Sequence, residues 1–352
     1  MPELVIDGRM INLAGDCYVI AEVGHNHQGD PETARQLFRA AKEAGADAVK
    51  LQKRDNRSLY TRAMYTQPYD HENSFGATYG EHREALEFCE SQYRELQHYA
   101  RELGITLLAT AFDCPSVDFL AKLEMPAFKI ASGDLTNIPL LKYAAQVGKP
   151  LIVSTGGGSI DDVQRAYDAV MPINPQLCLL QCTASYPVDP GDMNLRVIST
   201  FRRLFPDLII GLSDHQSGIA MAVAAYVLGA RVVEKHFTLN RAMKGTDHAF
   251  SLEPPGLRKL VRDLRRARAA LGDGIKKPLP CEAKPLFKMG KKLVAARDLP
   301  GGHVLTFADV AIKSPNDGLP PYELDRVLCR ALVRPLQEDE NITFADLKAT
   351  SG

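Results

Sequence analysis

Eight times along this chain a short apolar run ends in polar residues and gives way to a stretch with helical spacing. No other feature constrains the fold as much. The runs are YVIAEV (18–23), DAVKLQ (47–52), TLLATAF (106–112), AFKIAS (127–132), PLIVST (150–155), LCLLQCT (177–183), LIIGLS (208–213) and RVVEKH (231–236). Between them, PETARQLFRAAKEAG (31–45), SQYRELQHYARELG (91–104) and SIDDVQRAYDAVM (159–171) carry apolar residues at helical intervals. These stretches start on Asp, Ser or Pro, and Gly45 and Gly104 serve as stops. Strands apolar on both faces belong in a parallel sheet covered by helices. Strand then helix, repeated eight times, therefore predicts an α/β fold of the (β/α)8 TIM-barrel type, with an open doubly wound sheet as the alternative.

Two segments fall outside the repeat. Near the start, ELVIDGRMINL places Asp7-Gly8 between two short β-like runs and predicts a hairpin ahead of the first barrel strand. After the helical PGLRKLVRDLRRARAALG (255–272), the prolines 278, 280 and 285 mark an extended linker. The expected organisation is a barrel domain over 1–272, a linker over 273–288 and a small β-rich domain over 289–352. The arginines of 258–268 are interleaved with Leu and Val and read as the solvated face of the last barrel helix.

Composition removes several function classes. With 24% charged residues and a formal net charge of −1, the chain has no bias toward nucleic acid. No apolar run approaches the roughly 18 residues of a membrane span, and no basic-then-apolar leader is visible. The seven cysteines are scattered without CxxC spacing, so neither a disulfide framework nor a zinc ribbon is expected. A reducing cytoplasm is the expected compartment.

In barrels of this kind the chemistry sits at the carboxyl ends of the strands. There the sequence puts Glu22, then Lys50 and Gln52, Thr110, Lys129 with Ser132 and Asp134, and Ser154 with Thr155 before three glycines. Tyr186 follows the sixth run, Ser213 and His215 close the seventh, and Lys235 and His236 close the eighth. Two lysines, several hydroxyls and a Gly-rich turn suit a phosphate and a carboxylate on one substrate. Two imidazoles at adjacent strand ends suit a divalent metal with open positions. His25 and His27 also form a His-x-His pair, but in a loop with Asn26 and Gly29, and they read as loop residues rather than ligands.

The ordered motifs AEVGHNHQGD, KLQK, FKIASGDLTN, STGG, QCTASYP, GLSDHQSG and VVEKHFTLNRAMKGTDHAFSLEP carry a resemblance. Over nearly its whole length the chain resembles the sialic acid synthase family, and its tail resembles the small domain those enzymes share with type III antifreeze proteins. The resemblance implies condensation of phosphoenolpyruvate with N-acetylmannosamine, or its 6-phosphate, to a nine-carbon 2-keto sugar acid and phosphate. It implies Lys50, Thr110, Lys129, Ser132, Ser154 and Ser213 around the phosphoenolpyruvate, and His215 and His236 holding Mn²⁺ or Mg²⁺. Gln52, Tyr186 and Asp247 would handle the sugar. Glu22 would accept the proton of the water that adds at C2, with Asp134 the alternative, and Asp214 would be a supporting residue of its loop. Family members pair as domain-swapped homodimers, which is the expected assembly.

Three positions depart from the commonest bacterial pattern: Asp134 replaces Glu, Ala184 replaces an Asn, and Ser314 replaces an Arg that reaches the acyl group. The segment YDHENSFGATYGEHREALEF (69–88) resembles an insertion in animal enzymes that use the 6-phosphate. Legionaminic, pseudaminic or deaminated sialic acid synthesis are rivals within the same chemistry. A non-catalytic carbohydrate- or ice-binding protein built on these modules is the rival from another class, and the intact Glu22, Lys50, Lys129, His215 and His236 count against it. Barrels that condense phosphoenolpyruvate with arabinose or erythrose phosphates lack such a tail.

Overall fold

The computed structural model describes residues 2–349, which divide into two units at Gly272 and Asp273. In the first, strands β1 (Glu3–Ile6) and β2 (Arg9–Asn12) form an antiparallel hairpin. Its turn residues Asp7 and Gly8 both have positive φ, 50° and 76°, the backbone that a two-residue hairpin of matching twist requires. Eight parallel strands follow: β3 (Tyr18–Gly24), β4 (Ala48–Lys53), β5 (Thr106–Ala111), β6 (Phe128–Ile130), β7 (Leu151–Ser154), β8 (Leu177–Cys182), β9 (Ile209–Asp214) and β10 (Val232–His236). Hydrogen bonding from β10 back to β3 closes the sheet into a barrel. Each strand lies within one or two residues of its apolar run.

The helices begin and end where local chemistry requires. Pro31–Ala44 is capped by the Asp30 carboxylate, which accepts from the Glu32 and Thr33 amides, and it stops at Gly45 in the left-handed region. Glu90–Leu103 stops the same way at Gly104, and Ile160–Val170 starts on a Ser159 capping box. Pro254–Leu271 closes the unit.

Alternation along the strands separates two apolar layers. Val19, Ala21, Val49, Leu51, Leu107, Ala109, Val153, Leu179, Ile210 and Val233 face the helices. Tyr18, Ile20, Ala48, Leu108, Ala127, Ile152, Cys178, Leu180, Ile209 and Val232 fill the barrel together with Leu4, Ile6 and Ile11 of the hairpin. The hairpin thus packs on the first inward residues of the strands and leaves the other end to polar groups.

The second unit holds an antiparallel pair, β11 (Lys292–Ala295) and β12 (Val310–Lys313), over a core of Leu293, Leu299, Leu305, Val327, Leu332, Leu336, Ile342 and Leu347. It contains an internal repeat: TFAD recurs at 306–309 and 343–346. In each copy the Asp accepts from the Thr hydroxyl at 2.6 Å and from an arginine, Arg297 or Arg334. Where an extended linker is expected, residues 283–289 form a short helix. Three prolines punctuate this segment without preventing about two turns of helix after Pro280.

Candidate active site

At the carboxyl end of the barrel, inward positions that are apolar lower down become polar. Glu22 on β3, Lys50 and Gln52 on β4, Thr110 on β5, Lys129 on β6, Ser154 on β7, Ser213 on β9 and Glu234 and His236 on β10 converge there. They line one cavity of about 340 Å³, joined by Ser132, Tyr186, His215 and Asp247 from the loops. Every residue given a role in the site is among its lining except Asp134, while Thr155 and Lys235, counted with the polar strand ends, are not. Ser132–Asp134 is a tight helical turn in which Ser132 and Gly133 face the cavity. Asp134 comes round the other side, where its carboxylate accepts from Asn137 at 3.0 Å beside the start of the helix Ile138–Gln146.

The floor is a cluster of buried charges. Lys50 and Glu22 are each 2% exposed and meet at 2.5 Å, while Lys50 also donates to Thr110 at 2.6 Å. Gln52 donates to the other Glu22 oxygen at 2.7 Å. Lys129 donates to Ser154 at 2.7 Å, and Glu234 lies 3.8 Å from Lys50 and 3.9 Å from Lys129. Ser213 donates to Glu234 at 3.3 Å. The two carboxylates are driven in opposite directions. Burial pushes Glu22 above the ordinary glutamate range, only partly offset by Lys50. Burial acts on Glu234 too, but Lys129 and Lys50 together outweigh it and hold that carboxylate below the ordinary range. Such divergence separates a group that exchanges protons from one that stays ionised.

The imidazoles of His215 and His236 stand 5.4 Å apart, ring centre to ring centre. Burial, with His236 nearby, lowers His215 to about 4, and burial lowers His236 as well, so both are neutral at pH 7. His215 donates from Nδ1 to the Thr183 carbonyl at 2.9 Å, since a carbonyl only accepts, and its Nε2 lone pair is left free. His236 Nδ1 is buried without a hydrogen-bond partner, 3.7 Å from Asp247. A free lone pair and an orphaned buried nitrogen fit a divalent cation. Among the described residues no cluster of three or more His, Cys, Asp or Glu completes a ligand set, which leaves positions for water and substrate oxygens. The Tyr186 ring lies against His215, 4.1 Å centre to centre and tilted by 35°.

Several lining residues escape a reading of strand ends. Glu234 is hidden between the apolar Val233 and the more conspicuous Lys235, yet the period of two puts it on the same face as His236. By the same parity Lys235 faces away from the cavity: it pairs with Asp214 at 2.8 Å behind the sheet, so that neither residue reaches the site. Arg54, Arg83, His25, Phe112, Ala131, Gly133, Ala184 and Thr246 also line the cavity. His27 does not; its Nδ1 accepts from the Gly29 amide and its ring stacks on Phe88. Ala184 gives the lining a methyl and no side-chain hydrogen-bonding group. Ser314 accepts from Lys291 at 2.7 Å within the second unit.

Comparison with known proteins agrees with this geometry. The NeuB family profile matches residues 37–276 and the SAF domain profile matches residues 292–348. The human protein named N-acetylneuraminate-9-phosphate synthase is 44% identical over 95% of this chain and 94% of its own. The N,N'-diacetyllegionaminic acid synthase of Legionella pneumophila is 35% identical over 95% of each chain. Among solved structures, the N-acetylneuraminic acid synthetase of Leptospira borgpetersenii, in complex with citrate, superposes with a TM-score of 0.71 at 31% identity. That match covers 80% of this chain and 94% of the other.

Proposed function

This chain belongs to the NeuB family, and we propose that it joins phosphoenolpyruvate to N-acetylmannosamine 6-phosphate, with water, to give N-acetylneuraminate 9-phosphate and inorganic phosphate. The observation that carries the reading is the floor of the cavity: two buried lysines faced by two buried glutamates of opposed proton affinity, beside two neutral imidazoles. A carbohydrate-binding or ice-binding surface has no use for such a set.

Lys50 and Lys129, with the hydroxyls of Thr110, Ser132, Ser154 and Ser213, bind the carboxylate and phosphate of phosphoenolpyruvate. Burial lowers the proton affinity of Lys129, and Glu234, 3.9 Å away, opposes that shift and favours the charged ammonium. C3 of the enol then bonds to the aldehyde carbon of the acceptor, and positive charge develops at C2. Glu22 stabilises that charge and takes a proton from the water that adds there. The former aldehyde oxygen gains a proton to become a hydroxyl, the bond between C2 and the phosphate oxygen breaks, and the new C2 hydroxyl passes its proton to the departing phosphate as C2 becomes the ketone. Gln52, which holds the Glu22 carboxylate at 2.7 Å, orients it for this step and also faces the sugar.

His215 and His236 would hold a divalent cation, Mn²⁺ or Mg²⁺, which when bound supplies Lewis-acid polarisation of the acceptor carbonyl. The reading includes a domain-swapped homodimer and a reducing cytoplasm. The dimer is tested by light scattering, where the mass of one chain would exclude it. The compartment is supported by seven free cysteines and by the lack, among the described residues, of any helix long and apolar enough to cross a membrane.

The deciding assay measures phosphate release from phosphoenolpyruvate with Mn²⁺ and a panel of acceptors: N-acetylmannosamine, its 6-phosphate, mannose 6-phosphate and a 2,4-diacetamido hexose. Release that is fastest with N-acetylmannosamine 6-phosphate supports the reading. Release dependent on the diacetamido sugar would move the chain to legionaminic acid synthesis, and none with any acceptor would reject the chemistry.

A further inference from the structure

Resting on that reading, we infer that Arg83, carried to the cavity by the segment 69–88 and set beside Arg54, binds the 6-phosphate of the acceptor. The segment holds one short helix, Tyr79–Glu84, between irregular stretches, and Arg83 sits in that helix, whose first residue fixes it. Tyr79 Oη accepts from Arg83 Nε at 3.0 Å and from one terminal nitrogen at 2.8 Å. The other terminal nitrogen is 3.3 Å from His25 Nδ1. A phenol and an imidazole, not a carboxylate, are therefore its polar partners among the described residues.

Among the described residues neither guanidinium has a carboxylate within hydrogen-bond distance: Asp247, which lines the same cavity, acts on Arg83 only through space. Lys53 and Glu87 pair at 2.9 Å and neutralise each other, and the nearest Glu87 oxygen is 3.9 Å from Arg54. Arg54 is 7% exposed, lies 3.7 Å over the Phe112 ring and donates to Gln52 at 2.7 Å and to His25 Nε2 at 2.9 Å. A neutral imidazole has one accepting nitrogen, so the two guanidinium contacts to His25 cannot both be hydrogen bonds. One is donor against donor. Burial, Arg54 and Arg83 all lower His25 well below the ordinary histidine range, which removes a third positive charge but not the mismatch. A phosphate monoester dianion placed here accepts the unmatched N–H groups and balances both guanidiniums.

Position favours the acceptor over phosphoenolpyruvate as the source of that phosphate. The anionic groups of phosphoenolpyruvate are met on the barrel floor by Lys50 and Lys129. His25 and Arg54 follow β3 and β4, and β3 adjoins β10, which carries His236. A sugar with its carbonyl at the imidazoles therefore extends along the mouth toward the arginines.

The test is steady-state kinetics of the full-length protein at saturating phosphoenolpyruvate, with N-acetylmannosamine 6-phosphate and with the unphosphorylated sugar. In Arg83→Ala, kcat/KM for the 6-phosphate should fall about 10²-fold, the loss of a charge-assisted pair, mostly through the acceptor KM. The loss on the unphosphorylated sugar should be smaller by about tenfold or more, and the KM for phosphoenolpyruvate should stay within about twofold. Inhibition by mannose 6-phosphate should weaken in parallel with the 6-phosphate loss. Arg83→Lys keeps the packing and charge but not the fork, and should lose about tenfold in discrimination, which decides the matter if the alanine variant fails to fold. Equal losses on both acceptors, retained discrimination, or a raised phosphoenolpyruvate KM would overturn the assignment. Wild-type protein inactive with either acceptor would instead overturn the functional reading itself.

Discussion

Glu22→Gln isolates proton transfer from charge balance in this cavity. The amide has the shape of the carboxylate, and its oxygen can still accept from Lys50, which lies 2.5 Å from the native side chain. Its NH₂ then faces the amide of Gln52, whose own oxygen is already held by Arg54 at 2.7 Å, so the pair cannot simply reverse. What is lost is the proton acceptor. General-base removal lowers turnover by about 10²- to 10⁴-fold, equivalent to about 2.7–5.5 kcal/mol in the barrier. Binding of phosphoenolpyruvate should be as tight as in the wild type or tighter, because the cavity loses a negative charge while keeping both lysines. The pH dependence carries a second signature. Burial raises the folded affinity of Glu22 for its proton above the ordinary 4.5, so the ionised form is lost as pH falls through that raised value. Wild-type kcat/KM should show an acid limb there, and the variant should not. The same shift means that the folded chain holds a proton the unfolded chain has released, so wild-type stability relative to the variant declines as pH rises above 4.5. Phosphate release gives kcat, and calorimetric titration gives phosphoenolpyruvate affinity. Unchanged turnover in Glu22→Gln, or a persistent acid limb, would refute the assignment; loss confined to phosphoenolpyruvate affinity would make Glu22 a binding group only.

His236→Ala should reduce Mn²⁺ affinity by 10-fold or more, since half of the protein's imidazole donors are removed; electron paramagnetic resonance titration of free Mn²⁺ reads this without turnover, and unaltered affinity would sink the metal assignment. Asp214→Asn leaves the Lys235 ammonium buried without its 2.8 Å partner behind the sheet. It should therefore destabilise the chain by about 3–5 kcal/mol, a drop in Tm on the order of 10 °C, with kcat of the folded fraction close to wild type. A catalytic defect at unchanged Tm would place that pair in the site after all. Asp134→Asn, altering a half-buried group outside the cavity lining that can still accept from Asn137, should change kcat by less than about threefold.

The architecture was legible because periodicity is a global signal: a run of apolar residues on both faces, repeated with helices between, admits few folds. The caps confirm how locally it is written, with Asp30 starting a helix and Gly45, at φ 93°, ending it. Asp134 shows where such reading stops. Its place just after a strand end is visible in the sequence, but its direction depends on a single tight turn, and one residue further round that turn faces a helix start and not the cavity. Arg83 was hidden for a different reason. It lies in an insertion with no period of its own, and only the folding of that segment onto Tyr79 and His25 brings it to the barrel mouth.

Strand parity accounts for the remaining errors and would have corrected them. Counting polar strand ends sets Lys235 beside His236 at the pocket, but a strand cannot aim consecutive side chains the same way; Asp214, expected to support its loop, does so by accepting from the Gln216 amide at 2.8 Å. If His236 faces inward, so does Glu234, and Lys235 does not. If Ser213 and His215 face inward, Asp214 does not, and its charge must be met outside, as Lys235 meets it. The same parity changes the electrostatics of the proposed reaction. With Lys235 excluded and Glu234 included, the floor holds two lysines and two glutamates instead of an excess of positive charge. An arriving phosphoenolpyruvate therefore does not neutralise a cationic pocket; it competes with Glu22 for Lys50 and shares Lys129 with Glu234. Displacing Glu22 from Lys50 removes the larger of the two partners that offset its burial and leaves only the Gln52 hydrogen bond, so substrate binding itself raises the basicity of the group that must next accept a proton.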